Sequence, residues 1–304
     1  MMNITVASGN KTALSTYDEK TIETIRASLL AVMLLGFCFF MYFMKIFLSI
    51  YFTTDHMRDH SRYNLFAHML ITDTVYLILC ILLAVCSLYQ AYLPFSVCYT
   101  TVAAASTSFI VTPYNLAVMS LERYVAVCFP LRHTEICSVQ NTSIAIAVMW
   151  VLGFVSPIVE LIAVLILINK DIFALKIKCS RLTVAIVPLQ NSIKSITIAF
   201  SLSVVGIIHM FTYIKVIIVA KKISSGTSFA SKAGQTVMLH TFQLLLCMTS
   251  FISTFIDTIL ADSVVFLRMT FFLAFMFLPR FLSPLIYGLR DEVFCKYLKR
   301  VRSK

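Results

Sequence analysis

The sequence has few charged residues and few of the residues that build linkers. Only 13% of its 304 residues are charged and 60% are hydrophobic, whereas an average soluble domain is about 25% charged. Glycine and proline occur seven times each, which argues against long linkers, low-complexity tracts and a second soluble domain. With a mean hydropathy of +0.90, we expect an integral membrane protein with little chain outside the bilayer.

Motifs of catalysis and nucleic-acid binding are also missing. No Gly-rich phosphate loop, metal-ligand cluster or nucleophile triad is present, so we expect neither an enzyme nor a metal or cofactor site. The net charge is +11, but its lysines and arginines are spread over loops and a tail. Membrane orientation explains that distribution better than nucleic-acid binding.

Seven apolar segments follow one another, each long enough to cross a bilayer, which takes about 20 helical residues. The alternating pattern of barrel strands is absent, so the segments favour a helical bundle. They are 27–52, 61–88, 97–122, 141–168, 186–219, 236–260 and 263–288. The predicted fold is an all-α, seven-helix transmembrane bundle over 27–288, with an extracellular tail at 1–26 and a cytoplasmic amphipathic helix and tail at 289–304.

The charge pattern predicts an orientation. Lysine and arginine are more numerous after the first, third and fifth segments and in the C-terminal tail than on the other side, which places those regions in the cytoplasm. Glycosylation sequons at Asn3 and Asn10 agree with an outside N-terminus. Basic residues in 289–304 favour contact with anionic lipid, and Cys295 there is either palmitoylated or free. We expect a multi-pass plasma-membrane protein.

Asp73 is a lone carboxylate in the middle of the second segment. It is either a conformational hub or a neutral acid satisfied by neighbouring hydroxyls. Cys98, before the third segment, and Cys179, after the fourth, are assigned to the oxidising side, which allows a disulfide; two free thiols are the alternative.

Two further features lie at predicted helix ends. Glu122 and Arg123 close the third segment and form either a switch or a simple interfacial anchor. Pro284 in the seventh segment predicts a kink, because proline removes a backbone hydrogen bond.

Together these residues resemble the rhodopsin-like G-protein-coupled receptors. Arg123 follows Cys98 by 25 positions, as in that superfamily, and Trp150 stands where the superfamily keeps a tryptophan. The sequence Leu121–Tyr124 resembles the D/E-R-Y motif, and Ser283–Tyr287 resembles the switch motif of helix seven.

The resemblance extends to the odorant receptors. Met119–Arg132 resembles their signature M-A-x-D-R-Y-V-A-I-C-x-P-L-x-Y, and 232–240 resembles K-A-x-x-T-C-x-x-H. The variant MSLERYVAVCFPLRH, with SRY at 61–63, resembles the teleost branch.

This resemblance implies that a small-molecule odorant enters from outside and shifts a two-state equilibrium toward a form that binds a heterotrimeric G protein of the stimulatory olfactory type. The implied ligand residues are Ala105, Ser106, Phe109, Ile110, Lys194 and Phe255. The implied G-protein switch consists of Glu122, Arg123, Tyr124, Tyr213, His240, Pro284 and Tyr287.

Three departures from the family pattern surround Asp73. Met44-Lys45 and Ser283 stand where the family usually has asparagine, and Arg280 replaces a proline. Each departure removes a partner from the polar network, which puts an ion site there in doubt and predicts that Arg280 pairs with Asp73. The predicted polar hub consists of Asp73, Thr112, Arg280 and Ser283.

Lys194 has two interpretations. It is a counter-ion for an acidic or carbonyl odorant, or it extends to the interface or pairs with Glu160 or Asp257. For the whole chain, the alternatives are a receptor of the same fold for peptides or lipids and, less favoured, a channel or transporter. The latter would be indicated by repeats or paired Gly/Pro breaks, which are missing.

Overall fold

A computed structural model describes residues 19–167 and 175–223 together with Arg280, and most of these residues are helical. The helices are α1 (Glu19–Thr53), α2 (Asp55–Arg58), α3 (Ser61–Leu88), α4 (Phe95–Cys128), α5 (His133–Ile136), α6 (Val139–Leu167), α7 (Arg181–Val184) and α8 (Pro188–Ile223), with strands β1 (Tyr92–Pro94) and β2 (Lys176–Lys178) and a 3-10 turn at Pro130–Arg132. The predicted α-helical class is confirmed for this part of the chain.

Five of these helices are long and apolar enough to cross a membrane. They are α1, α3, α4, α6 and α8, and they correspond to the first five predicted segments. The segments at 236–260 and 263–288, the tail at 289–304 and the sequons at Asn3 and Asn10 lie outside the described residues.

Helix α4 is longer at both ends than the predicted segment 97–122. Cys98 therefore lies in its first turn rather than before it, and the prediction that Glu122 and Arg123 close the helix is wrong. The helix continues to Cys128 and stops at Phe129, whose backbone leaves the helical region at φ −134° and ψ 56°. Pro130 explains this end, because the residue before a proline is kept out of the α conformation.

Helix α4 occupies the centre of the described bundle. It packs against α3, α6 and α8, and it is the most buried of the five long helices. Hydrogen bonds between hydroxyls also join α4 to α8: Tyr114 Oη donates to Ser201 Oγ at 3.0 Å, and Thr212 Oγ1 donates to Ser120 Oγ at 3.4 Å. The residues of α4 are therefore in position to connect the two ends of the bundle.

A two-stranded antiparallel sheet lies at the end of the bundle where α4 begins. Tyr92 pairs with Lys178, and Pro94 pairs with Lys176. The disulfide between Cys98 and Cys179 joins the same two chain segments across 81 positions of sequence. The bridge that the sequence allowed is therefore formed, and it holds the 175–187 loop against the start of α4.

Close packing between α4 and α6 depends on Gly153. A Cβ atom built on Gly153 would lie 2.9 Å from Val111 Cγ2 and 3.1 Å from Thr107 Cγ2. Both neighbours are β-branched and have little rotamer freedom in a helix. Glycine is thus required where the two helices approach most closely at this position.

We predict that Gly153→Ala destabilises the folded protein by about 1–3 kcal/mol, the usual cost of overpacking a buried site. Gly206→Ala is the matched control, because within the described part of the chain a Cβ there meets no atom within 4 Å and alanine is the better helix former. Thermal unfolding of the purified protein in detergent measures both variants. Equal midpoints for the two variants would contradict the close α4–α6 contact.

Candidate functional site

Three polar regions lie along α4 (Phe95–Cys128). The first, the cleft, is near the disulfide; the second, the central hub, surrounds Asp73; the third, the charged end, contains Glu122 and Arg123. Each region joins α4 to different neighbouring helices.

The cleft encloses about 370 Å³ of empty space, part of it open to solvent. It is bounded by the first three turns of α4, by α6, by the 184–185 segment and by the start of α8. The described residues lining it are Tyr99, Val102, Ala103, Ser106, Pro157, Glu160, Val184, Ala185, Gln190, Asn191 and Lys194. A mixture of apolar walls with a few polar groups is typical of small-molecule sites.

The ligand residues implied by the sequence separate into two groups. Ser106 and Lys194 line the cleft. Ala105, Phe109 and Ile110 are buried, and the latter two belong to the apolar core that surrounds the central hub. Phe255 lies outside the described residues, as does Asp257, an alternative partner of Lys194.

The central hub is a buried ion pair. Arg280 Nη1 lies 3.6 Å from Asp73 Oδ1, and Thr112 Oγ1 donates a hydrogen bond to the same oxygen at 2.9 Å. The guanidinium also lies over the ring of Tyr76, with Cζ 3.6 Å from the centroid. The predicted contact between Arg280 and Asp73 is therefore present, together with a neighbouring hydroxyl. Ser283 lies outside the described residues.

A second group of hydrogen bonds joins three helices near the hub. Trp150 Nε1 on α6 donates to His68 Nε2 on α3 at 2.9 Å. The indole N–H can only donate, so His68 Nε2 accepts this bond. The other ring nitrogen, Nδ1, lies 3.0 Å from Asn115 Nδ2 on α4, which also donates to the Leu65 carbonyl at 3.1 Å. His68 thereby acts as a fixed connector between α3, α4 and α6.

At the charged end, the closest described partner of Glu122 is His133. The distance from His133 Nε2 to Glu122 Oε1 is 3.0 Å, whereas Arg123 Nε lies 3.8 Å from Glu122 Oε2. A carboxylate can only accept, so His133 carries a proton on Nε2. Glu122 is 8% exposed, and its partners are 23–25% exposed. The carboxylate is therefore held mainly by His133 at the start of α5, and Arg123 makes the longer contact.

Aromatic contacts support this arrangement. The ring centroid of Tyr124 lies 5.8 Å from that of Phe129 and 5.4 Å from that of Phe211 on α8. Tyr213, two residues further along α8, is exposed. The other implied switch residues, His240, Pro284 and Tyr287, lie outside the described residues.

The pKa of the Cys137 thiol depends on the charge of Glu122. Burial raises the pKa of the Cys137 thiol above its usual range, and the nearby Glu122 carboxylate raises it further. Both effects oppose the formation of a second negative charge in a partly desolvated place.

Sequence reasoning missed several residues that the packing brings together. Glu160 appeared only as a partner of Lys194, and His68, Tyr99 and Asn115 gave no local signal because their contacts cross between helices. His133 did leave a signal. The odorant-receptor signature ends in tyrosine, and this chain has histidine at that position.

Comparison with known proteins agrees with this architecture. The family model described as 7 transmembrane receptor (rhodopsin family) matches residues 46–287. Odorant receptor 131-2 of Danio rerio is 30% identical over 298 residues, which cover 96% of this chain and 90% of that protein. Olfactory receptor 2F1 of Homo sapiens is 31% identical over 184 residues, or 58% of this chain and 57% of that protein. The matched range 46–287 contains the cleft, the central hub and the charged end.

We predict that Glu122→Gln accelerates alkylation of Cys137 near neutral pH. Removing the carboxylate charge lowers the pKa of the thiol toward its usual range and increases the reactive thiolate fraction. Peptide mapping by mass spectrometry after timed alkylation measures the rate at Cys137. Glu135→Gln, at an exposed acid on α5, should leave the rate unchanged. If Glu122→Gln also leaves the alkylation rate unchanged, the charge of Glu122 does not affect the Cys137 thiol.

Proposed function

The chain belongs to the rhodopsin family of seven-transmembrane receptors and, within it, to the odorant receptors; on this premise we propose that it binds a small odorant in the cleft and activates a heterotrimeric G protein at the charged end. The family is one of multi-pass plasma-membrane receptors rather than enzymes. The observation that carries the proposal is the continuity of α4, which lines the cleft, donates to Asp73 and presents Glu122 and Arg123.

The disulfide supports an orientation in which the cleft is extracellular. Disulfides form and persist in oxidising compartments, and the Cys98–Cys179 bridge lies beside the cleft. Glu122, about seven helical turns further along α4, then faces the cytoplasm. The surplus of lysine and arginine on that side of the predicted bundle agrees with the positive-inside rule.

The proposed chain topology completes the family pattern. Residues 1–26 form the extracellular tail, with Asn3 and Asn10 as glycosylation positions. The segments 236–260 and 263–288 supply the sixth and seventh helices, and 289–304 forms a cytoplasmic amphipathic helix on the inner leaflet. In this arrangement His240, Ser283, Pro284 and Tyr287 complete the switch and the hub, and Phe255 faces the ligand.

The small side chains in the walls of the cleft, such as Val102, Ala103 and Ala185, favour a small ligand. A ligand can shift a two-state equilibrium only by binding one state more tightly than the other. Because the cleft lies between α4, α6 and α8, a ligand there contacts three helices and favours one of their relative positions. The coupled partner is a stimulatory olfactory G protein, and the readout is cyclic AMP.

The resting state is held by contacts to Glu122. His133 contacts the carboxylate at 3.0 Å, and Arg123 is held at 3.8 Å. Movement of α4 relative to α8, or movement of α5, breaks the contact between His133 and Glu122. Arg123 is then released toward the G protein. In this scheme His133 positions Glu122, and Glu122 restrains Arg123.

We predict that Glu122→Gln and His133→Phe each raise ligand-independent cyclic AMP roughly fivefold, the low end of ordinary coupling between sites. The first variant removes the charge that restrains Arg123, and the second removes the hydrogen bond that fixes Glu122. Transfected cells that also express the stimulatory olfactory G protein provide the measurement, normalised to receptor at the cell surface.

Two further variants serve as controls. His133→Gln retains a donor for Glu122 and should keep basal signalling low, and Glu135→Gln should behave like the unaltered receptor. Exposure of the same cells to odorant mixtures should raise cyclic AMP above the basal level. If basal activity is unchanged in both variants at equal surface expression, the Glu122-Arg123 pair is only a membrane anchor. An ion current without G protein would favour a channel.

A further inference from the structure

The described walls of the cleft, which include Tyr99, Ser106, Glu160 and Lys194, contain one acidic and one basic side chain. Glu160 comes from α6 and Lys194 from α8, and both are half-buried. In a partly desolvated site a charge favours a ligand group of the opposite sign far more than it does in water. Two opposite charges on facing helices therefore select for a ligand with two different ends.

The Glu160 side retains capacity to accept hydrogen bonds. Ser156 Oγ donates to Glu160 Oε1 at 2.8 Å, and Ser156 is itself buried, so this contact fixes the carboxylate from within the helix. A carboxylate has about four acceptor positions on its two oxygens. One hydroxyl orients the group without occupying all of them, which suits it to receive an ammonium or another donor.

The opposite wall offers donors. The Lys194 ammonium has three N–H donors and no acceptor, and the neighbouring Asn191 lies one turn earlier on the same helix. An incoming carboxylate oxygen satisfies such groups, and it competes with the contacts that Lys194 makes within the protein.

The other polar groups of the cleft belong to its structure. Tyr99 Oη donates to the Pro157 carbonyl at 2.6 Å. Gln190 accepts from Val187 N at 3.0 Å and donates to the Val184 carbonyl at 3.4 Å. These bonds fix the walls, so among the described lining residues the charged groups that remain to meet a ligand are Glu160 and Lys194.

The described lining also includes small aliphatic side chains. Val102, Ala103, Val184 and Ala185 offer apolar contact to a short hydrocarbon chain, whose burial is favourable.

We propose that the cleft binds a small aliphatic zwitterion, with its carboxylate toward Lys194 and its ammonium toward Glu160. The proposal rests on the function proposed above, because it names the chemical class of ligand for the same site. It also makes the two side chains specificity residues with separate roles, since each recognises one end of the molecule.

The test uses ligands that differ by one charge. The panel contains 4-aminobutanoate, butanoate, butylamine and butanol, and the variants are Glu160→Gln and Lys194→Met. Binding is measured as thermal stabilisation of the purified full-length receptor, and cyclic AMP is measured in cells. Lys176→Met is the matched control, because this exposed lysine is on β2 at the same end of the molecule.

We expect 4-aminobutanoate to stabilise the receptor at a concentration about tenfold lower than either singly charged ligand does, since one charge contact of about 1.4 kcal/mol corresponds to that ratio. Glu160→Gln should remove its advantage over butanoate, and Lys194→Met should remove its advantage over butylamine. Lys176→Met should change neither ratio.

The outcomes separate this inference from the receptor function. Equal potency of butanol and 4-aminobutanoate, or an equal loss for all four ligands in both variants, overturns the zwitterion assignment. A cyclic AMP response to neutral odorants alone overturns it as well, while the receptor function stands. Selective stabilisation by 4-aminobutanoate without cyclic AMP supports the assignment of the ligand and contradicts the proposed coupling.

Discussion

An aspartate and an arginine share the middle of the bundle, where neither lipid nor bulk water can solvate a charge. Asp73 and Arg280 are both buried, and their charged atoms lie 3.6 Å apart. The ring of Tyr76 faces the guanidinium and supplies a cation–π contact. Removing one partner of such a pair leaves an uncompensated charge and costs about 3–5 kcal/mol. The arrangement of the surrounding helices therefore depends on keeping both groups in contact.

Helix α4 connects the Asp73–Arg280 pair to both ends of the bundle. Thr112 donates to Asp73, and the next residue, Pro113, has no N–H to bond the Phe109 carbonyl. The helix thus lacks one backbone hydrogen bond beside the hub. Bending α4 at this turn therefore costs less free energy than bending it elsewhere. In the proposed mechanism, a displacement at the cleft is transmitted along α4 to Glu122, whose contact with His133 is either kept or lost. The proposed switch depends on a packed helix with one weakened turn and does not require general flexibility of the bundle.

Much of the helical framework follows from hydropathy, and most of the site does not. The second predicted segment, 61–88, has the same bounds as α3, because polar residues flank its apolar run on both sides. The predicted end of α4 comes too early, because a charged pair resembles a helix boundary although the helix continues to Cys128. The short strands β1 and β2 and the His133–Glu122 contact depend on pairing between distant residues. Periodicity along one helix does not reveal which neighbour faces Glu160 or His68.

The central claim is that Asp73 and Arg280 stabilise the receptor as a pair. A double-mutant cycle of Asp73→Asn, Arg280→Met and the combined variant tests it through thermal unfolding of the purified protein in detergent. Each single variant is expected to lose about 3–5 kcal/mol of stability, and the combined variant is expected to be more stable than the weaker single variant, because no unpaired charge remains in it. Losses that simply add in the combined variant would show that the two residues act independently and would contradict the account.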